Sequence, residues 1–244
     1  MKNSTIFGFL LFGTTACVSR NYNQSEVEMI SNTPDNGAHP EIGFAVSGTN
    51  THDGSKELCT VTLIRPQYVV TASHCIGHSG PQVTNGPYIL LNNHSYKVVA
   101  TNAPQEMISM RYCFEKHGTN CQKNAVVHDF AVMKLDRRVT DIAPARVGNT
   151  DPQNVVIYGY GCKDENGQIG RGQGRMYRGS VKGGKLSLIC TGDSGGPVYD
   201  QDNGAVVRLM SQGARDHPND SPYDWFARVG DGNILNDLIS ALGN

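Results

Sequence analysis

"TGDSGGPV", residues 191–198, sets Ser194 among three glycines, beside Asp193 and just ahead of Pro197 and Val198. A serine so surrounded is either a turn residue or a nucleophile whose neighbours are small because a substrate must come close. The second reading carries a requirement. A serine hydroxyl attacks well only when a base takes its proton, and the base works best when a carboxylate orients it. A histidine and a burial-prone acid should therefore occur elsewhere in the chain.

Both occur. "VVTASHC" (69–75) places His74 directly after a strand-like run and one residue before Cys75, which would hold that strand end rigidly. "HDFAVMKL" (128–135) places Asp129 at the head of another apolar run, where its carboxylate can be buried with an imidazole while the following residues pack in the core. Taken singly, a histidine after a strand is usually structural and an acid before a strand usually belongs to a turn. Together His74, Asp129 and Ser194 offer a base, the carboxylate that would orient it and a nucleophile.

The rest of the chain suits such a site. Its 244 residues, 38% of them hydrophobic, are enough for a proper core in one or two domains. With 28 glycines and 11 prolines, short apolar runs recur between turn formers, which predicts an all-β protein. The predicted strands are 42–46, 59–64, 68–72, 88–91, 96–100, 130–135, 155–160, 198–199 and 205–211. Helical period shows mainly in "NILNDLISAL" (233–242), where Ile234, Leu235, Leu238, Ile239 and Leu242 form one stripe, with Asp231 and Asn233 as candidate caps. A formal net charge of −1 offers no footprint for nucleic acid.

At the start, "MKNSTIFGFLLFGTTAC" has Lys2, an apolar run from Ile6 to Phe12, then small residues. This is the layout of an export signal, over residues 1–16, and is too short to span a bilayer. Cys17 sits where a lipoprotein signal places its lipidated cysteine; ordinary cleavage after Ala16 is the alternative. The polar stretch 17–29 reads as a tether or pro-segment. Seven cysteines are an odd number for an exported protein. Lipid on Cys17 would leave Cys59, Cys75, Cys113, Cys121, Cys162 and Cys190, which an oxidising compartment favours as three disulfides out of fifteen possible pairings. The sequence contains no CxxC, so no metal site is expected.

"TASHC", "DFAVMKL" and "GDSGGPV" together resemble the three signature blocks of the chymotrypsin/trypsin family of serine endopeptidases, in its bacterial exported form. The similarity runs from about residue 30 to the C-terminus, so 30–244 is expected to be one protease domain. The resemblance implies two antiparallel six-stranded β-barrels with the active site in the cleft between them, to which the helical period of 233–242 adds a C-terminal α-helix. It implies the triad His74, Asp129 and Ser194, an oxyanion hole from the N–H groups of Gly192 and Ser194, and support of Asp129 by Ser211. "SQG", Ser211 to Gly213, resembles the strand that pairs with substrate backbone. The family pattern matches Cys59 with Cys75. It lacks the usual partner of Cys190, for which Cys162 is the substitute, and this leaves Cys113 with Cys121.

Members of the family become active when cleavage frees an N-terminal Ile or Val whose ammonium pairs with the acid before the nucleophile. Here that implies cleavage between Met29 and Ile30 and an ion pair from Ile30 to Asp193. The specificity position six residues before the nucleophile is Leu188. Asp224 aligns with the opposite pocket wall, where it would either bind a basic side chain or narrow the pocket. The implied function is hydrolysis of polypeptides by an exported, envelope-bound or secreted monomer without cofactors, anchored to a membrane if Cys17 is lipidated. The alternative is a catalytically inactive protease fold serving as a binding lipoprotein.

Overall fold

The computed structural model describes residues 33–34, 37–49, 56–76, 88–104, 129–150, 154–161, 177–182, 185–186, 192–211, 226–229 and 232–243. After a two-residue strand β1 (Thr33–Pro34), the first half of the chain supplies β2 (Ile42–Thr49), β3 (Lys56–Arg65), β4 (Tyr68–Thr71), β5 (Tyr88–Leu91), β6 (His94–Asn102) and β7 (Ala131–Leu135). These six close into a barrel in the order β2-β3-β4-β7-β6-β5, with every pairing antiparallel.

Local sequence explains the closure. β5 and β6 are joined by Asn92-Asn93, both at positive φ (44° and 66°). A two-residue hairpin loop with that geometry matches the twist of its strands, and asparagine tolerates it best after glycine. Inward positions alternate along the strands. Ala45, Val61, Leu63, Val69, Ile89, Leu91, Tyr96, Val98, Met133 and Leu135 fill the barrel. Burying each larger aliphatic side chain is worth roughly 2 kcal/mol. β3 is buried on both faces. Val61 and Leu63 point into the barrel, while Thr60, Thr62 and Ile64 are buried on the other face.

The second half supplies β8 (Arg146–Val147), β9 (Val155–Gly159), β10 (Tyr177–Lys182), β11 (Lys185–Leu186), β12 (Pro197–Asp200), β13 (Ala205–Met210) and β14 (Phe226–Arg228). Together with β1 they form an eight-stranded sheet along the path β1-β10-β9-β12-β13-β14. β11 adds to β10, and β8 adds to β13 as the one parallel pair among the described residues. Val155, Ile157, Val198, Val207 and Met210 pack on one face of this sheet. The other face supplies Val156, Tyr158, Tyr199, Val206 and Leu209 to a seam with Ile42, Ile64, Tyr68, Val70, Phe130 and Val132 of the first half.

The predicted all-β architecture with a C-terminal helix is present, and each of the nine predicted strands occurs. The helix α1 spans Gly232–Ala241. Its predicted stripe is buried at Leu235, Leu238 and Ile239, with Ile234 and Leu242 packed beside them in the seam. Asn233 proves to lie inside the first turn and exposed, so it is not the cap; Asp231 falls outside the described residues. Lys134 of β7 holds the far end, donating to the carbonyls of Leu242 (3.1 Å) and Gly243 (2.6 Å). A cation there also meets the negative end of the helix dipole.

Candidate active site

β4 carries the chain toward the seam at Thr71 and then tightens into a 3-10 turn, Ser73–Ile76, that presents His74. The next residue, Cys75, is bonded to Cys59 of β3, as the family resemblance implied. The His74 ring nitrogen and the two sulfurs lie within 4.8 Å of one another. The sulfurs are joined in the disulfide, so no thiolate is left to bind a metal. Outside this clip the imidazole is open: the His74 side chain is 36% exposed.

Asp129 enters two residues before β7 and is 3% exposed. Its carboxylate accepts four hydrogen bonds. Ser73 Oγ (2.6 Å) and the His74 backbone N–H (3.1 Å) donate to Oδ1. His74 Nδ1 (2.8 Å) and Ser211 Oγ meet Oδ2. Burial pushes this carboxyl up, but the His74 hydrogen bond and charge, with the Ser211 and Ser73 hydroxyls, outweigh it. The result is a pKa of about 2 against the usual 3.8. The aspartate is therefore ionised at neutral pH and fixes the imidazole with Nδ1 toward itself.

Ser194 arrives on the loop before β12. Its backbone carbonyl accepts from Thr60 N–H (2.9 Å) and lies 3.9 Å from Cys75 Sγ, next to the His74 turn. Its hydroxyl donates to the Ser211 carbonyl at 3.5 Å. Ser211 thus touches both ends of the site, the nucleophile candidate through its backbone and Asp129 through its side chain. Among the described residues no hydrogen bond joins Ser194 Oγ to the imidazole.

The glycines of this loop have separate reasons. Gly192 has φ +105°, a conformation L side chains rarely adopt, and its carbonyl accepts from Thr60 Oγ1 at 2.8 Å. Neither the Gly192 nor the Ser194 N–H has an acceptor among the described residues. Gly195 (φ +79°) runs against Thr71 Oγ1 and the Thr60 carbonyl, leaving no space for a Cβ. Between them, Asp193 is buried and its Oδ1 accepts the Gly161 N–H at 2.8 Å.

Of the residues the sequence singled out, the structure brings His74, Asp129, Ser211, Ser194, Gly192, Asp193 and the Cys59–Cys75 bond to one place. Cys17, Ile30, Cys113, Cys121, Cys162, Leu188, Cys190, Gly213 and Asp224 lie outside the described residues. Ser73 and Thr60 were missed. The one available signal was a hydroxyl residue beside the histidine and another beside Cys59, and such a residue is common next to any strand.

Comparison with known proteins agrees with this geometry. Residues 32–233 match the family model described as Trypsin. A venom serine protease of Polistes dominula is 23% identical over 198 residues, covering 72% of this chain and 70% of its own. Chymotrypsin-like elastase family member 1 of Felis catus is 26% identical over 179 residues, 60% of this chain and 64% of that one. Among solved structures, a Glu endopeptidase superposes with a TM-score of 0.56 at 17% identity, covering 88% of this chain and 97% of that chain. A scabies mite inactivated protease paralogue gives the same TM-score at 16% identity, covering 82% of this chain and 92% of that chain. At these identities the solved structures establish the fold.

Proposed function

Because this chain belongs to the trypsin family of serine proteases, we propose that it is an active endopeptidase in which Ser194 attacks the scissile carbonyl, His74 is the general base and Asp129 orients it. The observation that carries this reading is the 2.8 Å contact between His74 Nδ1 and a buried, ionised Asp129. With Nδ1–H donating to the carboxylate, Nε2 keeps its lone pair and serves as the base. The Ser194 hydroxyl swings from the Ser211 carbonyl to Nε2, gives up its proton and bonds to the carbonyl carbon. Asp129 then faces a charged imidazolium, which it stabilises.

The developing oxyanion takes the hydrogen bonds of Gly192 N–H and Ser194 N–H, neither of which has an acceptor among the described residues. Collapse of the tetrahedral intermediate returns the proton from His74 to the leaving amine and leaves an acyl-enzyme on Ser194. Water, deprotonated by the same imidazole, releases the acid. Labelling by a fluorophosphonate tests the scheme. Wild type processed to its active form should label and cleave a mixed peptide library, Ser194→Ala should do neither, and His74→Ala should label far more slowly. An activated wild-type protein that neither labels nor cleaves would place it with the inactive members of the fold.

We also infer that the domain is made as a zymogen. Cleavage before Ile30 would deliver an ammonium to Asp193, whose burial beside Gly161 suits a paired carboxylate. The N-terminal residue of the active form, read by mass spectrometry, checks this; an active chain still carrying residues 26–29 overturns it. Anchorage by lipid on Cys17 is checked in the same way, from the mass of the N-terminal peptide of the precursor.

A further inference from the structure

Ser73 has no part in the proton transfers just described, yet its hydroxyl is 2.6 Å from the group that organises them. The side chain is buried, between the equally buried Ala72 and the half-exposed His74 turn. A packing role alone would be met by alanine, at no desolvation cost. The hydroxyl is instead aimed at a carboxylate oxygen, and the arithmetic of that carboxylate shows what it does. Two oxygens offer about four lone-pair sites. Ser73 and the His74 N–H take those of Oδ1, while His74 Nδ1 and Ser211 take those of Oδ2. Every site is filled, so a proton can bind Asp129 only by displacing a donor.

We propose that Ser73 is a positioning residue of this relay: its hydroxyl anchors Oδ1, so that Oδ2 stays on the His74 imidazole and the carboxylate stays ionised. The proposal rests on the catalytic reading above for its consequence in turnover, but not for its effect on Asp129. Among the described residues, the groups that face Asp129 are Ser73 and His74 of the 3-10 turn and Ser211 just past the end of β13, and of these His74 brings the charge.

Removing the Ser73 hydroxyl has two consequences of definite sign. Oδ1 loses a donor that favours the charged form, so Asp129 protonates more readily. At neutral pH it remains ionised, but Oδ1 has lost one of the two donors that hold the carboxylate in place, so Oδ2 is less firmly kept on the imidazole. In Ser73→Ala the Asp129 carboxyl titration, followed by NMR of isotope-labelled aspartate in the full-length protein, should rise by about one pH unit. The kcat should fall several-fold with KM unchanged. Ser73→Thr keeps the donor and should restore the wild-type titration.

A purely structural Ser73 gives a different pattern. Ser73→Ala would then lower the melting temperature with the Asp129 titration unmoved, and that result overturns the proposal. The titration needs no turnover. An activated wild type that ignores the fluorophosphonate therefore sinks the catalytic reading alone, and the Asp129 shift still decides the role of Ser73. If Ser73→Ala does not fold, the wild type provides the measurement. Its Ser73 hydroxyl proton should exchange slowly and respond to the titration of Asp129, and a freely exchanging one overturns the inference.

Discussion

Thr60 of β3 donates through Oγ1 to the carbonyl of Gly192 at 2.8 Å, joining residues 132 positions apart. The same oxygen accepts the Tyr160 N–H at 3.2 Å, and the Thr60 N–H donates to the Ser194 carbonyl at 2.9 Å. A single barrel residue thus fixes the peptide on either side of Asp193. Gly192, whose glycine backbone is otherwise free to rotate, is held in the conformation that leaves its N–H open.

Thr60→Val keeps the shape and removes the hydroxyl. The Gly192 carbonyl and the Tyr160 N–H would both lose a partner, the former in a buried site. A loss of about 2 kcal/mol of stability is expected, seen as a lower denaturation midpoint with an unchanged m value. Activity should fall chiefly in kcat, since the Gly192 N–H is needed most when charge develops on the substrate oxygen. Thr60→Ser, which keeps the donor, should recover most of kcat. Equal kcat in the valine variant and wild type would separate Thr60 from the loop's function.

Asp129 also makes a pH prediction. Its carboxyl sits at about 2 when folded against an ordinary 3.8. A lowered folded pKa stabilises the protein fully above the unfolded value and loses that stability as pH falls toward the folded one. The contribution is about 2 kcal/mol, present above pH 4 and lost between about pH 4 and 2. Asp129→Asn should therefore flatten the fall of melting temperature across that window, while kcat drops by orders of magnitude. Some acid slope will remain. At Glu41 burial pushes the carboxyl up, but bonds from His39 and Tyr199 bring it below its usual value, so it titrates in the same sense.

The strands that could be read from sequence were those whose apolar residues recur between turn formers, down to the pair 198–199 after Pro197. The unread ones are short or polar. β1, β8, β11 and β14 have two or three residues each, and β10 reads "YRGSVK". Such segments become strands only through partners far along the chain, as in the register of Thr33 with Arg178. The site divides in the same way. His74, Asp129 and Ser194 stand in distinctive local contexts, and Gly192 is explained by the loop it occupies. Thr60 and Ser73 have no such context, because their meaning lies in oxygen atoms brought near by folding. Asn233 misled because a capping residue type also occurs inside exposed first turns.

Gly195 gives a steric prediction. Its φ of +79° disfavours any side chain, and a Cβ would collide with Thr71 Oγ1 and with the Thr60 carbonyl. Both obstacles belong to neighbouring barrel strands, and Thr71 itself donates to that carbonyl at 2.9 Å, so neither yields easily. Gly195→Ala should cost about 3 kcal/mol or more and displace the Ser194 carbonyl from Thr60. Loss of fluorophosphonate labelling under conditions where circular dichroism still shows folded protein is the expected sign. A variant that labels at the wild-type rate would mean that the loop accommodates a methyl group after all.

The Cys59–Cys75 bond makes the last prediction, because it has a thermodynamic and a positional effect that can be measured apart. It closes a loop with a sequence separation of 16, for which restriction of the unfolded chain is worth about 3 kcal/mol. The double substitution Cys59→Ser with Cys75→Ser should lower the melting temperature by about ten degrees. The positional effect is separate. Cys75 follows His74 in a four-residue 3-10 turn, and Asp129 holds the same turn through Ser73 Oγ, the His74 N–H and Nδ1. With those three bonds intact, the imidazole should keep its place below the new melting temperature. The double variant should then retain kcat within about tenfold at a temperature where it is folded. A loss of several orders of magnitude in folded protein would show that the disulfide, and not Asp129, is what places His74.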